Sequence, residues 1–344
     1  MHSFTDILLQ ISDGVDLSSG QADFAMREII NGDVNEARMS AFLFGLRCKG
    51  ETVEELTALV NVMREASVNV DVSVTHAVDL CGTGGDNSGT FNISTASMFV
   101  VAGADVPVLK HGNSGVSSRS GSFDVLEKLG VTPDLEKEKV ETAFRQSGMA
   151  FMYAPLFHPA MGRVMKTRKD LALRTFFNIM GPLLNPAGVK RQIVGAYSRQ
   201  TAEKMAQILE NLGSDFAYTF HASDGLDECS TTSSTEIFRL KNGHIDQNTL
   251  DPQLFGLATS TPEQLKGGTP DENAHIIRAV LEGKSTDAQS DIVSLNATFA
   301  IHASGLYEDI QEAFFAAQES LDSGEAKRAL DRFAECTSDF KASA

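Results

Sequence analysis

Short apolar runs alternate with helical periods along most of this chain, beginning near residue 68. This alternation is typical of βα units, in which each crossover helix brings the next strand back parallel to the last one. Asn242 and Gly243 follow the final run and indicate a tight hairpin turn. The runs predict a mostly parallel sheet with strands at residues 77–80, 106–110, 149–153, 193–197, 216–220 and 237–240.

The first 66 or so residues carry helical rather than βα periodicity. Ser18 and Gln21 match the capping box S/T-x-x-E/Q ahead of apolar residues at helical spacing, and Thr52 and Glu55 repeat it. Because no Pro-, Gly- or Ser-rich linker separates the two patterns, we expect the two parts to pack directly on each other. The predicted fold class is α/β, with a small N-terminal helical domain and a larger α/β domain around a mostly parallel central sheet.

Charge and cysteine usage disfavour several classes of function. The 344 residues carry 29 Lys and Arg against 46 Asp and Glu, a formal charge of −17, which works against a broad basic face for nucleic acid or an anionic membrane. No apolar run approaches the roughly 20 residues of a spanning helix. The 4 cysteines stand singly and predict neither disulfides nor structural zinc. We expect a cytoplasmic protein with neither nucleic-acid nor membrane partners.

A glycine-rich turn follows the first predicted strand. Residues 82–86 read Gly-Thr-Gly-Gly-Asp, and a helix is expected to begin near Ile93. Glycines let backbone N–H groups approach an anion closely, and a helix N-terminus adds free donors and a positive dipole. A phosphate-bearing ligand fits this arrangement, and a tight turn that binds nothing is the alternative. The turn is neither a Walker A loop nor a G-x-G-x-x-G dinucleotide fingerprint.

Two further polar loops follow predicted strands and so lie at the same carboxyl edge, where open α/β sheets bind ligands. Residues 110–122 are rich in Gly and Ser and include Lys110 and Arg119. Residues 224–232 offer the adjacent carboxylates Asp227 and Glu228, and such hard oxygen ligands suit Mg²⁺ together with substrate phosphates. Either loop alone is also compatible with an ordinary solvated loop. Together with the glycine-rich turn they predict a site for a phosphorylated ligand and Mg²⁺.

Seven ordered motifs span nearly the whole chain: GTGGD at 82–86, FNIST at 91–95, KHGN at 110–113, SGS-x-DVLE-x-LG at 120–130, FHPAM at 157–161, RTFFN-x-x-GPL-x-NP at 174–186 and GLDE at 225–228. With them the chain resembles the anthranilate phosphoribosyltransferases, which transfer the phosphoribosyl group of phosphoribosyl pyrophosphate (PRPP) to the amino group of anthranilate in tryptophan biosynthesis. The resemblance implies a helical domain of residues 1–68, completed by helices from about 160–186, and an α/β domain of residues 69–344. It also implies a homodimer, two Mg²⁺ per subunit and, as a partner, the amidotransferase of anthranilate synthase.

Carried over position by position, the resemblance assigns roles to individual residues. Lys110 and His111 are the implied catalytic residues, His111 through positioning. The implied Mg²⁺ ligands are Ser94, Asp227 and Glu228. The implied anthranilate contacts are Gly82, Asn113, Arg168, His158 and Pro182, with the Arg168 guanidinium matching the anthranilate carboxylate. The implied PRPP contacts are Gly82, Gly85, Asp86, Thr90, Asn92, Ile93, Ser94, Thr95, Lys110, His111, Gly112, Asn113, Ser114, Gly115, Val116, Ser117, Ser118 and Ser122.

Four positions depart from the family pattern. Ser114 stands where most members have Arg after KHGN, which removes one cationic donor near the PRPP loop. Ala172 and Ser233 stand where Gly is usual, and Phe123 replaces a small residue.

Two alternative functions stay open. A pyrimidine nucleoside phosphorylase-like enzyme would share the architecture, but such proteins are larger and carry a longer, lysine-containing phosphate loop. A non-catalytic relative that binds nucleic acid would need a basic groove, which the charge of −17 disfavours. The presence of Lys110, Asn113, Asp227 and Glu228 favours chemistry over binding alone.

Overall fold

A computed structural model describes residues 3–86, 88–115 and 119–342 of the chain. The described residues contain seven strands in one sheet and fifteen α-helices. The strands are β1 (Val78–Gly82), β2 (Val108–Gly112), β3 (Met149–Tyr153), β4 (Arg191–Gly195), β5 (Phe216–Ala222), β6 (Thr235–Lys241) and β7 (His244–Leu250). The helices are α1 (Phe4–Ser12), α2 (Ser19–Asn31), α3 (Glu36–Lys49), α4 (Val53–Glu65), α5 (Ile93–Gly103), α6 (Ser122–Lys128), α7 (Lys137–Ser147), α8 (Ala154–Phe157), α9 (Gly162–Leu171), α10 (Phe177–Met180), α11 (Arg199–Asn211), α12 (Pro270–Leu281), α13 (Asp287–Ala303), α14 (Ile310–Asp322) and α15 (Glu325–Ala342).

The strand order in the sheet is β3-β2-β1-β4-β5-β6-β7. The first five strands of this order run parallel, and β6 and β7 extend the sheet antiparallel. The mostly parallel sheet predicted from the βα pattern is confirmed. Because β2 lies on one side of β1 and β4 on the other, a crevice opens at the carboxyl ends of β1 and β4, where such sheets bind ligands.

The observed strands differ from the predicted ones mainly at their ends. β1 and β2 extend to Gly82 and Gly112, because these glycines keep the backbone pairing with neighbouring strands although they add no apolar side chain. The predicted hairpin is confirmed, and Asn242 and Gly243 have the positive φ of a tight turn, 53° and 71°. Its second strand, β7, was missed because its sequence is polar and most of its side chains are exposed.

Apolar cores lie on both faces of the sheet. One face packs against α5, α13 and their neighbours, and Phe99 and Ile301 are fully buried there. The other face packs against α11 and the N-terminal helices, around Phe42, Phe176 and Leu209. The sheet is therefore covered on both sides, as a parallel sheet requires.

The segment that contains α9 and α10 packs with the N-terminal helices. α9 lies against α2 and α3, and the ring of Phe176 meets that of Phe42 edge-on, with centres 6.2 Å apart. α9 ends at Ala172, whose φ of 49° lies in the left-handed region. This conformation explains why Gly, which adopts it without steric penalty, is the usual residue at this position in the family.

The predicted helix starts in the N-terminal part are confirmed. Ser18 with Gln21 caps α2 and Thr52 with Glu55 caps α4, each pair forming both hydrogen bonds of the box. No helix in the described part of the chain is long and apolar enough to cross a lipid bilayer.

Candidate functional site

The glycine-rich turn after β1 is held by β4. Thr83 N donates to Gly195 O (2.9 Å), and Tyr197 N donates back to Thr83 Oγ1 (3.1 Å). Gly84 and Gly85 have φ of 66° and 79°, which glycine adopts without steric penalty. The turn therefore needs these glycines, and it leads towards the N-terminus of α5.

Arg174 reaches the same turn from the segment between α9 and α10. Its guanidinium donates to Gly85 O and stacks over the ring of Tyr197, 4.7 Å from the ring centre. Arg47 of α3 in turn donates to Arg174 O (2.7 Å). The N-terminal helices thus help to position a loop of the α/β part.

The loop between β5 and β6 lies across the carboxyl ends of β1 and β4. A methyl group on Gly195 would stand 1.6 Å from Asp227 O, and one on Gly82 would stand 2.5 Å from Asp227 Oδ2. Only a residue without a side chain fits at the end of each strand. Asp227 is therefore seated in the crevice that the strand order creates.

Backbone donors hold the two adjacent carboxylates of this loop. Gly84 N donates to Asp227 Oδ2 (2.7 Å). Ser94 N, in the first turn of α5, donates to Glu228 Oε1 (3.2 Å). A helix N-terminus favours negative charge, so the glycine-rich turn, α5 and the carboxylate loop meet as one cluster, as the sequence predicted for the sheet edge.

Negative charge is crowded in this cluster. Partial burial raises the pKa of Asp227, and the charge of Asp86 raises it further. Partial burial and the charges of Asp227 and Asp86 raise the pKa of Glu228, while the Lys110 ammonium opposes that shift. Three carboxylates therefore face one nearby ammonium, and a bound cation would relieve their repulsion.

The donor set fits Mg²⁺. The Asp227 and Glu228 carboxylates and the Ser94 hydroxyl are hard oxygen donors. Within the described ranges, no group of three or more His, Cys, Asp or Glu side chains converges in metal-ligating geometry. The chain offers an incomplete set of ligands, and Mg²⁺ is usually held by one or two carboxylates together with phosphate oxygens and water.

Lys110 lies beneath the N-terminus of α5 and is only 2% exposed. Its ammonium donates to Leu80 O and to Ser94 Oγ (3.3 Å). Its positive charge is thus placed between β1 and the first turn of α5, beside a side chain assigned to the metal.

The loop after β2 closes through its own hydrogen bonds. Asn113 O accepts from Ser122 Oγ (3.3 Å), and Asn113 Oδ1 accepts from Ser114 N (2.8 Å). Asp124 Oδ2 accepts from Gly115 N (2.8 Å). The described residues do not include three that the resemblance assigns to PRPP: Val116, Ser117 and Ser118.

Asn92 joins the two glycine-rich loops to α12. Its Nδ2 donates to Ser120 O (3.1 Å), and its Oδ1 accepts from Ser120 Oγ (3.1 Å) and Asn273 Nδ2 (2.8 Å). Next to it, Thr90 pairs with Lys266 in an isolated antiparallel bridge. In this structure the Asn92 amide therefore joins the segment before α5 to the loop before α6 and to α12 through hydrogen bonds.

Several other residues assigned to PRPP place backbone rather than side chains at this edge. Ile93 and Thr95 are each only 1% exposed. Gly112 ends β2, and a methyl group on it would stand 2.2 Å from Ser122 Oγ. These positions therefore shape the loops by their packing.

A pair of buried histidines lies on the side of the N-terminal helices. The rings of His111 and His158 meet edge-on, with centres 5.0 Å apart. Burial lowers the pKa of His111 to about 3 and that of His158 to about 4. The His111 ring interacts with the Gly181 backbone and the His158 ring with the Leu184 backbone. Among the described residues, His111 Nε2 finds no hydrogen-bond partner, and the His158 ring nitrogens find none of good geometry. Because buried polar atoms are normally paired, these nitrogens indicate a place for a polar ligand or water.

Arg168 and Pro182 complete the set assigned to anthranilate. The Arg168 guanidinium stacks over the ring of Phe177, 5.2 Å from its centre, and partial burial lowers its pKa. Within the described ranges it forms no ion pair, so its charge is available to a ligand. Pro182 O accepts from Gln192 Nε2 (3.0 Å). No described contact joins Arg168 to Asn113.

Three residues that organise the site have no role predicted from the sequence. Arg174 belongs to the RTFFN motif, but the letter code does not show that its side chain reaches Gly85. Gly195 interrupts the apolar run 193–197, a signal that could have indicated close approach of another loop. Asn273 follows a Gly-Gly pair and a capping box, which predicts a helix start but not its contact with Asn92.

Comparisons with known proteins agree with this arrangement. Two family models match, the helical bundle domain of a glycosyl transferase family at residues 5–67 and the a/b domain of such a family at residues 74–327. The anthranilate phosphoribosyltransferase of Salinibacter ruber is 46% identical over 97% of this chain and 98% of its own length.

Solved structures are similar over nearly the whole chain as well. Anthranilate phosphoribosyltransferase from Thermus thermophilus is 36% identical with a TM-score of 0.90, covering 96% of this chain and 98% of that one. The Saccharomyces cerevisiae enzyme in complex with PRPP and Mg is 28% identical with a TM-score of 0.90, covering 98% of both chains. The chain therefore belongs to the anthranilate phosphoribosyltransferases, within this glycosyl transferase family.

Proposed function

We propose that this chain transfers the phosphoribosyl group of PRPP to the amino group of anthranilate, giving N-(5-phosphoribosyl)anthranilate and pyrophosphate in tryptophan biosynthesis. The observation that carries the proposal is the cluster at the ends of β1 and β4. There Gly84 N meets Asp227 and Ser94 N meets Glu228, with Lys110 directly below. A phosphorylated substrate and Mg²⁺ both find partners there.

The PRPP end of the site combines backbone N–H groups with one buried cation. Gly84 N and Ser94 N hold Asp227 and Glu228, and the remaining N–H groups of the turn and of the α5 N-terminus favour the anionic groups of the substrate. Lys110 stabilises the charge that develops on the departing pyrophosphate. Ser94, Asp227 and Glu228 would hold Mg²⁺, which would supply positive charge to the pyrophosphate oxygens. We assign two ions per subunit.

The reaction is a substitution at C1 of the ribose with inversion. The anthranilate nitrogen forms the new bond to C1 while the bond from C1 to the pyrophosphate oxygen breaks, through a transition state with oxocarbenium character. The amine loses one proton to water after the bond forms, and pyrophosphate leaves with the electron pair of the broken bond. An aryl amine is neutral near pH 7, so positioning of the two substrates supplies most of the acceleration and no covalent nucleophile is needed.

The acceptor end of the site orients anthranilate. Arg168 offers a guanidinium without an acidic partner in the described structure to the anthranilate carboxylate. His111 and His158 are neutral at pH 7, because burial lowers the pKa of each far below that pH. His111 therefore acts by hydrogen bonding and positioning rather than as a proton acceptor with an ordinary pKa.

Assembly follows from the resemblance. We assign a homodimer formed through the N-terminal helices, where Leu9 of α1 and Phe44 of α3 are 59% and 50% exposed. The amidotransferase partner stays a prediction of the resemblance, and the cytoplasmic location stays a prediction of the sequence composition. Size-exclusion chromatography with light scattering of wild type and Phe44→Asp tests the dimer.

The activity is tested by following anthranilate fluorescence after mixing the protein with PRPP and Mg²⁺. We expect a loss of fluorescence that EDTA abolishes. Lys110→Ala and Asp227→Asn should reduce turnover by at least about a hundredfold, whereas Lys284→Ala, at an exposed position, should not change it. Folded wild-type protein that leaves anthranilate unchanged would overturn the proposal. Phosphorolysis of uridine and salt-dependent retention on DNA check the two alternative functions.

A further inference from the structure

A carboxylate with no role in the proposed reaction lies in the middle of β1. Asp79 is completely buried. Its Oδ1 accepts from His111 N (3.2 Å), and its Oδ2 accepts from Asn185 Nδ2 (2.8 Å) and Gln192 Nε2 (3.5 Å). Three N–H donors from three different segments therefore converge on one side chain.

The amides that bind Asp79 each make a second bond. Asn185 Nδ2 also donates to Leu109 O (2.8 Å) in β2. Gln192 Nε2 also donates to Pro182 O (3.0 Å). Through these amides Asp79 connects β1 and β2 to residues 181–185, the GPL-x-N part of the GPL-x-NP motif. Of these residues only Pro182 has an implied role, as an anthranilate contact.

The segments joined in this way carry the acceptor side of the site. His111, whose backbone N–H binds Asp79, places its ring against His158. Pro182 is bound through Gln192. Asp79 thus determines how the end of β2 and the loop at 181–185 stand relative to each other, although it contacts neither substrate.

Burying the Asp79 carboxylate costs free energy, which indicates that this residue serves something other than stability. Burial raises the pKa of Asp79, and only the charge of Lys110 and the three hydrogen bonds oppose that shift. A buried charge is rarely the most stable choice for a core, and well-packed apolar residues often serve stability as well or better. A carboxylate that accepts bonds from three separate segments does provide a fixed geometry.

We propose that Asp79 is a positioning residue for the acceptor substrate, which sets the separation between the His111 strand end and the Pro182 loop. The inference rests on the proposed function, since it assigns the effect to anthranilate. The PRPP loops are held by hydrogen bonds of Thr83, Arg174 and Asn92. Asp79 reaches the PRPP end only through its charge interaction with Lys110, whose loss is expected in kcat rather than in KM for PRPP.

Asp79→Asn tests the proposal by steady-state kinetics with each substrate varied in turn. The new amide places an N–H donor against donors, so the acceptor site loses its spacing. We expect KM for anthranilate to rise by at least about tenfold, because hydrogen bonds to a charged group are worth that much or more. KM for PRPP should stay within about twofold. Asp246→Asn, at the distant hairpin, is the matched control and should change neither.

The double variant Asp79→Asn with Asn185→Asp restores a donor–acceptor pair between positions 79 and 185, although its new carboxylate faces Leu109 O. We expect it to reverse part of the rise in KM for anthranilate. If Asp79→Asn does not fold, Gln192→Met removes the bonds from residue 192 to Pro182 and to Asp79 but leaves those of Asp79 to His111 and Asn185. The same split between the two KM values is expected of it.

The outcomes are distinct. With an active wild type, the inference alone is overturned if Asp79→Asn leaves KM for anthranilate unchanged. It is also overturned if Asp79→Asn raises both KM values equally and the added Asn185→Asp exchange does not reverse the rise. A folded but inactive wild type would overturn the proposed function and the inference together.

Discussion

Replacing Gly195 by Ala introduces one methyl group at the point where the carboxylate loop crosses the sheet. That methyl would stand 1.6 Å from Asp227 O and 2.4 Å from Asp227 C. An ordinary contact needs at least 3.4 Å, so the Asp227 backbone must retreat by about 2 Å. The retreat breaks the bond from Gly84 N to Asp227 Oδ2 and separates Glu228 from Ser94 N.

The expected effect is larger on catalysis than on stability. Overpacking of a core costs about 1–3 kcal/mol of unfolding free energy, whereas a misplacement of about 1 Å at a catalytic site can cost about a hundredfold in rate. We expect kcat/KM to fall by at least about a hundredfold and the Mg²⁺ concentration for half-maximal activity to rise.

Anthranilate fluorescence at varied Mg²⁺ measures both quantities, and circular dichroism shows whether the variant is folded. Gly20→Ala is the control, since a methyl group there meets nothing within 4 Å. A folded Gly195→Ala protein with wild-type rate and Mg²⁺ dependence would refute the idea that the contact with Asp227 sets the metal site.

Three further predictions concern the N-terminal side of the site. Ala172→Gly should raise the unfolding free energy by about 0.5–1 kcal/mol and Tm by about 1–3 °C. Ala in the left-handed region of φ costs about 1–2 kcal/mol, and the greater freedom of Gly in the unfolded chain offsets part of the gain from removing that cost. An unchanged or lower Tm by calorimetry contradicts the prediction. The pKa of His158 is lowered to about 4 from 6.5, so its stabilising contribution is present above pH 6.5 and is lost as the pH falls towards 4. Between pH 6.5 and 4 the unfolding free energy measured with urea should therefore fall less steeply in His158→Gln than in wild type, by roughly 1 kcal/mol per pH unit. An unchanged slope would rule this out. Arg168→Ala should raise KM for anthranilate about tenfold or more and leave KM for PRPP unchanged, with exposed Lys169→Ala as control; equal changes in both KM values would remove Arg168 from the acceptor site.

The fold could be predicted because its signals are local. Apolar runs between helical periods mark parallel strands, and capping boxes such as Ser18 with Gln21 mark helix starts. β7 could not be predicted in this way, because an edge strand with exposed polar side chains lacks the apolar run that marks a buried strand.

The site could be predicted as a region but not as a set of contacts. All parallel strands end at one edge, so loops after β1, β2 and β5 had to lie near one another. The contact of Asp227 with Gly195 and that of Arg174 with Gly85 join residues far apart in the chain. They depend on how loops pack across the sheet, for which no spacing rule exists.

His111 illustrates why a residue type does not determine a role. An imidazole with an ordinary pKa near 6.5 would be a natural proton acceptor at neutral pH. Burial and the neighbouring His158 ring lower the pKa of His111 to about 3. At pH 7 such a ring is neutral and is a much weaker base than an ordinary imidazole. It can still donate or accept one hydrogen bond at a fixed position, and the bond from its backbone N–H to Asp79 supplies that position. Since the aryl amine needs no base to become nucleophilic, positioning is the contribution that both the chemistry and the geometry leave to this histidine.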